Sequence, residues 1–333
     1  MKYLFVTTAA FVLLFFLQSN KSFCQVKFTL IKTDIDSSYI ERRPSSWSAR
    51  IFGVSKSQTF SLSDLNSNLK VSFVPNAKAS LGLGVSYGNF ALDLGVNISH
   101  TKKDTLNQTK SFDFLSTLVT NQHVLGFNFQ LHGGFFSSTQ IPLVDTPANS
   151  FRSDIRTFNL GINYLYNFGY RKFSFNAAFL GAQIQKQSAG APVVGVFFTY
   201  YDLRSNDNLI PTDLHSSFSS YGQISEANLL SSGLLAGYAY TLVLPKSFYI
   251  SVSLVPGIAF NIGDAKSENY YHIGHPVTVS PKLESLNAVG YGGKKFYAVL
   301  SYSIDQNFVN LGNKNQLNYN ASKAKFVFGI RIK

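Results

Sequence analysis

The sequence predicts an all-β chain that closes into a membrane-spanning, antiparallel, up-and-down β-barrel. Three observations predict it. The first is the stretch Ile155 to Gln185, which reads as two amphipathic strands. Phe158, Leu160, Ile162, Tyr164 and Tyr166 share one face, and Thr157, Asn159, Gly161 and Asn163 share the other. After Asn167 to Arg171, a stretch with turn composition, Phe173, Phe175, Ala177 and Phe179 alternate with Ser174, Asn176 and Ala178. The second is the nature of the faces. The polar face is small and uncharged from Thr157 to Tyr170, and its opposite is large and aromatic. A soluble sheet puts charge on its wet face. A barrel wall needs apolar residues toward lipid and small polar ones toward the lumen, with every backbone group paired. The third is composition. Only 14% of the 333 residues are charged against 45% hydrophobic, and Phe and Tyr contribute 31 and 18 residues.

The chain begins with the pattern of an export signal. Lys2 supplies positive charge, Leu4 to Leu17 an apolar core, and Ser22-Phe23-Cys24 before Gln25 a small-residue cleavage site, so the boundary is placed after Cys24. The rival reading, a lipoprotein acylated on Cys24, lacks the usual Leu-small-small run. Cys24 is the one cysteine, so cleavage there leaves no thiol chemistry. The formal charge of +12 falls to +10 without Lys2 and Lys21. Export argues against a nucleic-acid partner, and the excess charge reads as loop charge near an anionic lipid surface or as an anion-selecting lumen. Membrane lipid and lipopolysaccharide are the expected partners, together with subunits of an outer-membrane complex.

Residues 25–46 are polar and irregular and read as a periplasmic lead-in or a plug; residues 47–333 form the barrel. Trp47 to Asp64 is the first strand. In Leu69 to Tyr87 the pair Pro75-Asn76 ends a strand or kinks a long one. Tyr87-Gly88-Asn89 turns into Phe90 to Ser99, where Leu92, Leu94, Val96 and Ile98 alternate with Asp93, Gly95 and Asn97. Ser111 to Leu118 pairs with Val124 to Phe136, Ser137 to Ser153 is a loop, and the Ile155 hairpin follows. Val193 to Leu203 precedes a long polar stretch, Arg204 to Ser225. Asn228 to Leu244 and Phe248 to Asn261 turn at Pro245-Lys246. Leu283 to Gly290 and Phe296 to Ile304 flank Gly292-Gly293, Gln306 to Ser322 reads as loop, and Phe326, Phe328, Ile330 and Ile332 share the face of a closing strand.

Ala227 to Leu244 carries no charge, and its Gly233 to Gly237 spacing would also suit a membrane helix. Alternation through Leu234, Ala236, Tyr238, Tyr240, Leu242 and Leu244 favours a strand. The tally is thirteen strands, an odd number foreign to single-chain bacterial barrels, so about 12 are expected with 14 as the alternative. Loop lengths fall out of phase between Lys186 and Ser225, where either a further strand is hidden within Asp213 to Ile224 or one of the thirteen does not belong to the wall.

Candidate chemistry is sparse. His272 and His275, with Glu268 nearby, are spaced for a metal but lack a third ligand, and no metal or cofactor is expected. His132 falls on the lumen face beside Asn128 and Gln130, away from the lipid boundary where a lipid-acting Ser/His site would be needed. Arg152, Asp154 and Arg156 at one strand mouth, and Asp202, Arg204 and Asp207 at another, suit a rim network or a constriction. No catalytic residue is assigned. No nucleotide or phosphate fingerprint is present.

Several strings occur in a telling order: Asp36 to Ile40; Val74-Pro75-Asn76 with Leu81-Gly82-Leu83-Gly84; Phe151-Arg152-Ser153-Asp154-Ile155; Arg171-Lys172-Phe173-Ser174-Phe175; Gln185 to Gly190; Asn208-Leu209-Ile210-Pro211; and Gly237-Tyr238-Ala239-Tyr240. By these the chain resembles a Bacteroidetes outer-membrane-protein family classed as a domain of unknown function. The resemblance implies an outer-membrane barrel and brings no catalytic residue. Outer-membrane barrels often end in an aromatic residue; here the last residues are Ile332-Lys333. The expected role is a non-enzymatic pore or surface-loop scaffold, the alternatives being a lipid-modifying outer-membrane enzyme or a subunit of a surface or secretion complex.

Overall fold

Alternating strands bury their backbone polar groups only by pairing, and here the pairing closes on itself. The computed structural model describes residues 34–42, 47–76, 79–87, 90–98, 108–140, 150–267 and 277–332. In chain order the strands are β1 (Ile40–Arg42), β2 (Trp47–Asp64), β3 (Leu69–Val74), β4 (Ala79–Tyr87), β5 (Phe90–Ile98), β6 (Lys110–Val119), β7 (His123–Gln140) and β8 (Ser150–Asn167). They continue with β9 (Gln183–Gln185), β10 (Ala189–Arg204), β11 (Ile224–Val243), β12 (Phe248–Ser267), β13 (Thr278–Gly292), β14 (Phe296–Gly312) and β15 (Asn315–Ile332).

Ten of them, β2-β3-β7-β8-β10-β11-β12-β13-β14-β15, form a closed antiparallel ring, sealed where β15 pairs β2 from Asn315↔Asp64 to Ile332↔Trp47. The expected count of about 12, or 14, is therefore corrected to a closed ring of ten. The surplus has a specific origin. β3 bridges β2 and β7 at one end only, through Phe60↔Phe73 and Val74↔Phe136. Toward the other end β4 and β5 hang on β2, with Ser55↔Ala79 and Trp47↔Tyr87, and β6 hangs on β7, with Lys110↔Gly133 and Val119↔Val124. Pro75-Asn76 ends β3 rather than kinking a longer strand. The uncharged stretch that also suited a membrane helix is strand β11.

The two ends of the wall obey opposite solvation rules. Over most of its height the outer face is apolar: Leu83, Val85, Ile162, Val196, Leu254 and Phe328 are all exposed. That is the surface hydrocarbon solvates. In a collar above it the polarity of the two faces inverts. Val309, Leu311, Leu317 and Tyr319 point inward and are buried, while Lys70, Arg156, Asp264, Lys266 and Asn310 are exposed. A barrel that rises out of lipid must have a dry core and a wet exterior, so its pattern there is that of a soluble protein. This explains why Gln306 to Ser322 reads as loop. Its Gln306, Asn310, Gln316, Asn318 and Asn320 lie on the outer side of β14 and β15, while Asn307 and Asn315 are buried, and the two strands continue through it and turn at Asn313-Lys314 with positive φ. For the same reason β7 and β8 run further into the predicted Ser137 to Ser153 loop than expected.

Two segments expected near the wall fill the lumen instead. The second arm of the Ile155 hairpin is not a strand: Asn176–Leu180 forms a short π-helical turn ending at Gly181, which takes φ 65°. Phe173 and Phe175 pack on inward residues Val124, Leu165, Val193 and Leu235, and Ala178 on Phe52, Tyr249, Tyr297 and Val327. The segment thus touches the inner wall on nearly every side. The alternation was real, but it served a plug: Phe173, Phe175, Ala177 and also Ser174, Asn176 and Ala178 are buried. At the collar, residues 205–223 contain no strand, which corrects the one sought in Asp213 to Ile224. They fold inward as a cap, with Leu209, Ile210, Leu214 and Phe218 buried against Phe60, Val71, Ile155 and Leu317.

Candidate functional site

Between plug and cap the lumen carries a belt of polar and charged side chains, and this belt is where the barrel concentrates its chemistry. Inward parity puts Lys56 and Gln58 of β2, Asp113 of β6, Gln130 and His132 of β7, and Thr157, Asn159 and Asn163 of β8 along one arc. Lys282 and Glu284 of β13, Asp305 of β14, and Lys323 and Lys325 of β15 complete it. Buried polar groups persist only when paired.

His132 is buried in one half of this belt. Its Nδ1 lies 2.7 Å from Gln58 Oε1, which also accepts from Thr157 Oγ1 at 3.1 Å. Its Nε2 lies 3.4 Å from Asp113 Oδ1. Gln130 Nε2 donates to the same carboxylate at 2.8 Å, and Gln130 Oε1 accepts from Asn159 at 3.2 Å. The imidazole is thus held between a carboxylate and an amide, with no serine hydroxyl among these partners. The arrangement fixes the ring and ties four strands together across the lumen.

Lys282 anchors the other half. Its side chain is fully enclosed, pairs with Asp305, donates to Asn307 Oδ1 at 3.0 Å, and lies 4.3 Å above the Phe197 ring. Asn163 Nδ2 donates to Asp305 Oδ2 at 2.9 Å and Glu284 Oε2 at 3.2 Å. A third group joins β5 to the wall: Asp93 accepts from Arg50 Nε at 2.7 Å and from Lys325 Nζ.

The charges expected at the strand mouths do lie at the collar, on or near its outer side. Arg152 grips Asp154 through Nε and Nη2 at 2.9 and 2.8 Å, and its Nη1 donates to the Asn208 carbonyl at 3.1 Å, so this pair holds the start of the cap. Asp202 pairs with Arg204 at 2.9 Å and accepts from Asn228 at 3.3 Å. Arg156 is exposed opposite Arg204 in register. These residues latch the rim and do not line the lumen with His132. His272, His275 and Glu268 lie outside the described residues.

The plug is sewn to the same wall. Asn167 Nδ2 donates to the Asn121 and Phe173 carbonyls at 3.0 and 3.1 Å, Tyr249 Oη to the Ala178 carbonyl at 2.9 Å, and Gln183 Nε2 to Asn121 Oδ1 at 2.8 Å. Within it β1 pairs β9, from Ile40↔Gln185 to Arg42↔Gln183. Outside the strands, Asp36 accepts from Ser38 N at 2.9 Å and Ser38 Oγ at 2.6 Å, and these bonds hold its carboxyl below the ordinary value of 3.8. Among the described residues no group of three or more His, Cys, Asp and Glu is arranged for a metal.

The lumenal charges Asp113, Lys282, Glu284, Asp305 and Lys323 had a signal that parity alone could have found. Each is a charge inside a strand whose neighbours two residues away point to the lumen.

A closed antiparallel barrel with an apolar exterior and a filled, charged lumen defines the class. The chain belongs to the family described as a domain of unknown function (DUF4421), whose model matches residues 34–331. No curated protein matches the chain. Among solved structures, the outer membrane protease OmpT from Escherichia coli is similar at 8% identity and a TM-score of 0.36, covering 87% of this chain and 97% of that one. The toluene transporter TodX of P. putida is similar at 9% identity and a TM-score of 0.26, covering 87% and 91%. OprG from Pseudomonas aeruginosa is similar at 9% identity and a TM-score of 0.23, covering 87% and 98%. At such identities and TM-scores none of them bears on what this chain does.

Proposed function

We propose that the protein is a non-enzymatic outer-membrane barrel that is axially closed and serves as a scaffold presenting its cap and collar to a partner, such as another subunit of a surface complex. One observation carries this reading. The lumen is occupied at three successive levels, by the Phe173–Phe175 plug, by the charged belt, and by the Leu209–Phe218 cap. An open pore needs a continuous wet path, and a plug or cap built on buried aromatic residues removes it. The exported, lipid-embedded setting is supported by the apolar outer face and the closed ring. The cap turns Asn206, Asp207, Thr212, Asp213 and Tyr221 outward, a polar surface with one aromatic anchor.

Planar-bilayer recording of the refolded full chain tests the closure. Silence is expected from protein whose native fold is confirmed by heat-modifiable gel mobility. Stable, long-lived channels from the unaltered chain would overturn it. In cells, the cap is expected to be open to protease added from outside, and the protein to fractionate with outer membranes.

A further inference from the structure

Lys323 is the one cation of the lumenal belt with no hydrogen bond or ion pair among the described residues, and Asp93 acts on it only at a distance. Arg50 and Lys325 share Asp93, and Lys282 has Asp305. Lys56 donates only to the backbone carbonyl of Asp113, at 3.1 Å. The register then sets Lys323 of β15 directly opposite Lys56 of β2, both facing inward. Like charges opposed on one face of a sheet repel, and an unpaired charge withdrawn from water is costly. The site is short of an anion.

Space for one lies beside it. Lys323 lines a cavity of about 80 Å³ whose other walls include Asn128 and Asn163 of the barrel and Leu115, Ser116 and Thr117 of β6. Glu284 and Asp305 close its far side, where Lys282 and Asn163 engage them. Thr117, although on an inward-facing position, is exposed, because β6 pairs only β7 and β5 pairs only β4 among the described residues. The wall therefore has a seam between β5 and β6, and a strand edge left open in hydrocarbon is expensive. On the outer face Leu94 and Val96 of β5 are 70% and 73% exposed, and Phe112, Phe114 and Leu118 of β6 are exposed in the same apolar belt.

We infer that the Lys56–Lys323 pair binds the anionic head group of a bilayer amphiphile, a phosphate or carboxylate, admitted sideways through the β5–β6 seam while its acyl chains stay on the apolar outer face. Charge complementarity selects the head, and the seam selects a ligand that arrives from the membrane rather than along the closed axis. The inference goes beyond the scaffold reading and survives its failure, since a barrel with an open axis would keep the seam.

Native mass spectrometry of the full chain in neutral detergent, titrated with phosphatidylglycerol, phosphatidylcholine or inorganic phosphate, is the test. A single phosphatidylglycerol adduct is expected, with little phosphatidylcholine binding. Lys323→Gln is expected to weaken it about tenfold or more, as loss of a charge-assisted contact does. Thr117→Trp, which leaves both lysines and fills the seam mouth, is expected to abolish lipid binding while leaving heat-modifiable mobility intact, so the test stands even if Lys323→Gln does not fold. Equal binding of both lipids, or phosphatidylglycerol binding unaffected by Thr117→Trp, overturns the inference. Inorganic phosphate binding as tightly as phosphatidylglycerol would assign the site to a free anion and overturn lateral entry.

Discussion

Arg331 in β15 donates through Nη2 to the carbonyl of Gly181 at 2.7 Å and through Nε at 3.2 Å, joining the closing strand of the wall to the residue that ends the plug's π-helical turn. The guanidinium also lies 4.7 Å from the Tyr297 ring, against which Gly181 packs so closely that an added Cβ would fall 2.5 Å from it. Plug and wall are one folded unit at this point.

Arg331→Ala is expected to leave the Gly181 carbonyl without its donor inside the lumen and to destabilise the barrel by about 1–3 kcal/mol. Equilibrium unfolding in denaturant reads the loss. Limited proteolysis is expected to cut first within Lys172 to Gln187; unchanged cleavage there would show that Arg331 does not hold the plug.

Lys282→Met removes the cation enclosed with Asp305 and Glu284. The stranded carboxylates are expected to cost about 3–5 kcal/mol, whereas adding Asp305→Asn to the same chain restores part of the loss. A double-mutant cycle in urea checks this, and strictly additive effects would mean the pair is not coupled.

Tyr201 and Tyr319 stack in the collar with centroids 4.1 Å apart and planes 3° from parallel. Their hydroxyls differ: Tyr319 Oη lies 3.2 Å from Ser231 Oγ, while the buried Tyr201 Oη has no hydrogen-bond partner. Tyr201→Phe is therefore expected to be neutral or to stabilise by up to about 1 kcal/mol, and Tyr319→Phe to cost about 1 kcal/mol. Thermal melts of the two variants should move in different directions.

Asp36 should titrate with a midpoint below 3.8, because Ser38 stabilises its ionised form twice over. A folded-state value depressed below the unfolded one contributes stability that is fully present above the unfolded value and is lost as pH falls through the folded value. NMR titration of the Asp36 carboxyl checks the midpoint, and Ser38→Ala is expected to raise it toward the ordinary value.

Legibility in the sequence follows distance along the chain. β2 and β5 were readable nearly to their ends, because period-two alternation between an outer and an inner face is a local property of each strand. The same parity puts His132 on the inner face. Its partner Asp113 was not singled out, since that meeting depends on β6 pairing β7. The cap was read as polar loop because Leu209, Ile210, Leu214 and Phe218 are spaced without a period, and only enclosure by the collar gives them a core.

By itself the sequence determined that this chain makes amphipathic strands with an apolar, aromatic side and a small polar side, the pattern that a sheet closed into a barrel needs if all its backbone groups are to be paired in a membrane. The tertiary structure alone decided how many strands close the ring, which end of each strand is wet, and that Phe173 to Leu180 fills the lumen rather than extending the wall. Those outcomes rest on contacts such as Arg331 with Gly181 and β15 with β2, formed between residues far apart in sequence, where no local pattern distinguishes an apolar face meeting lipid from one meeting the inside of a barrel.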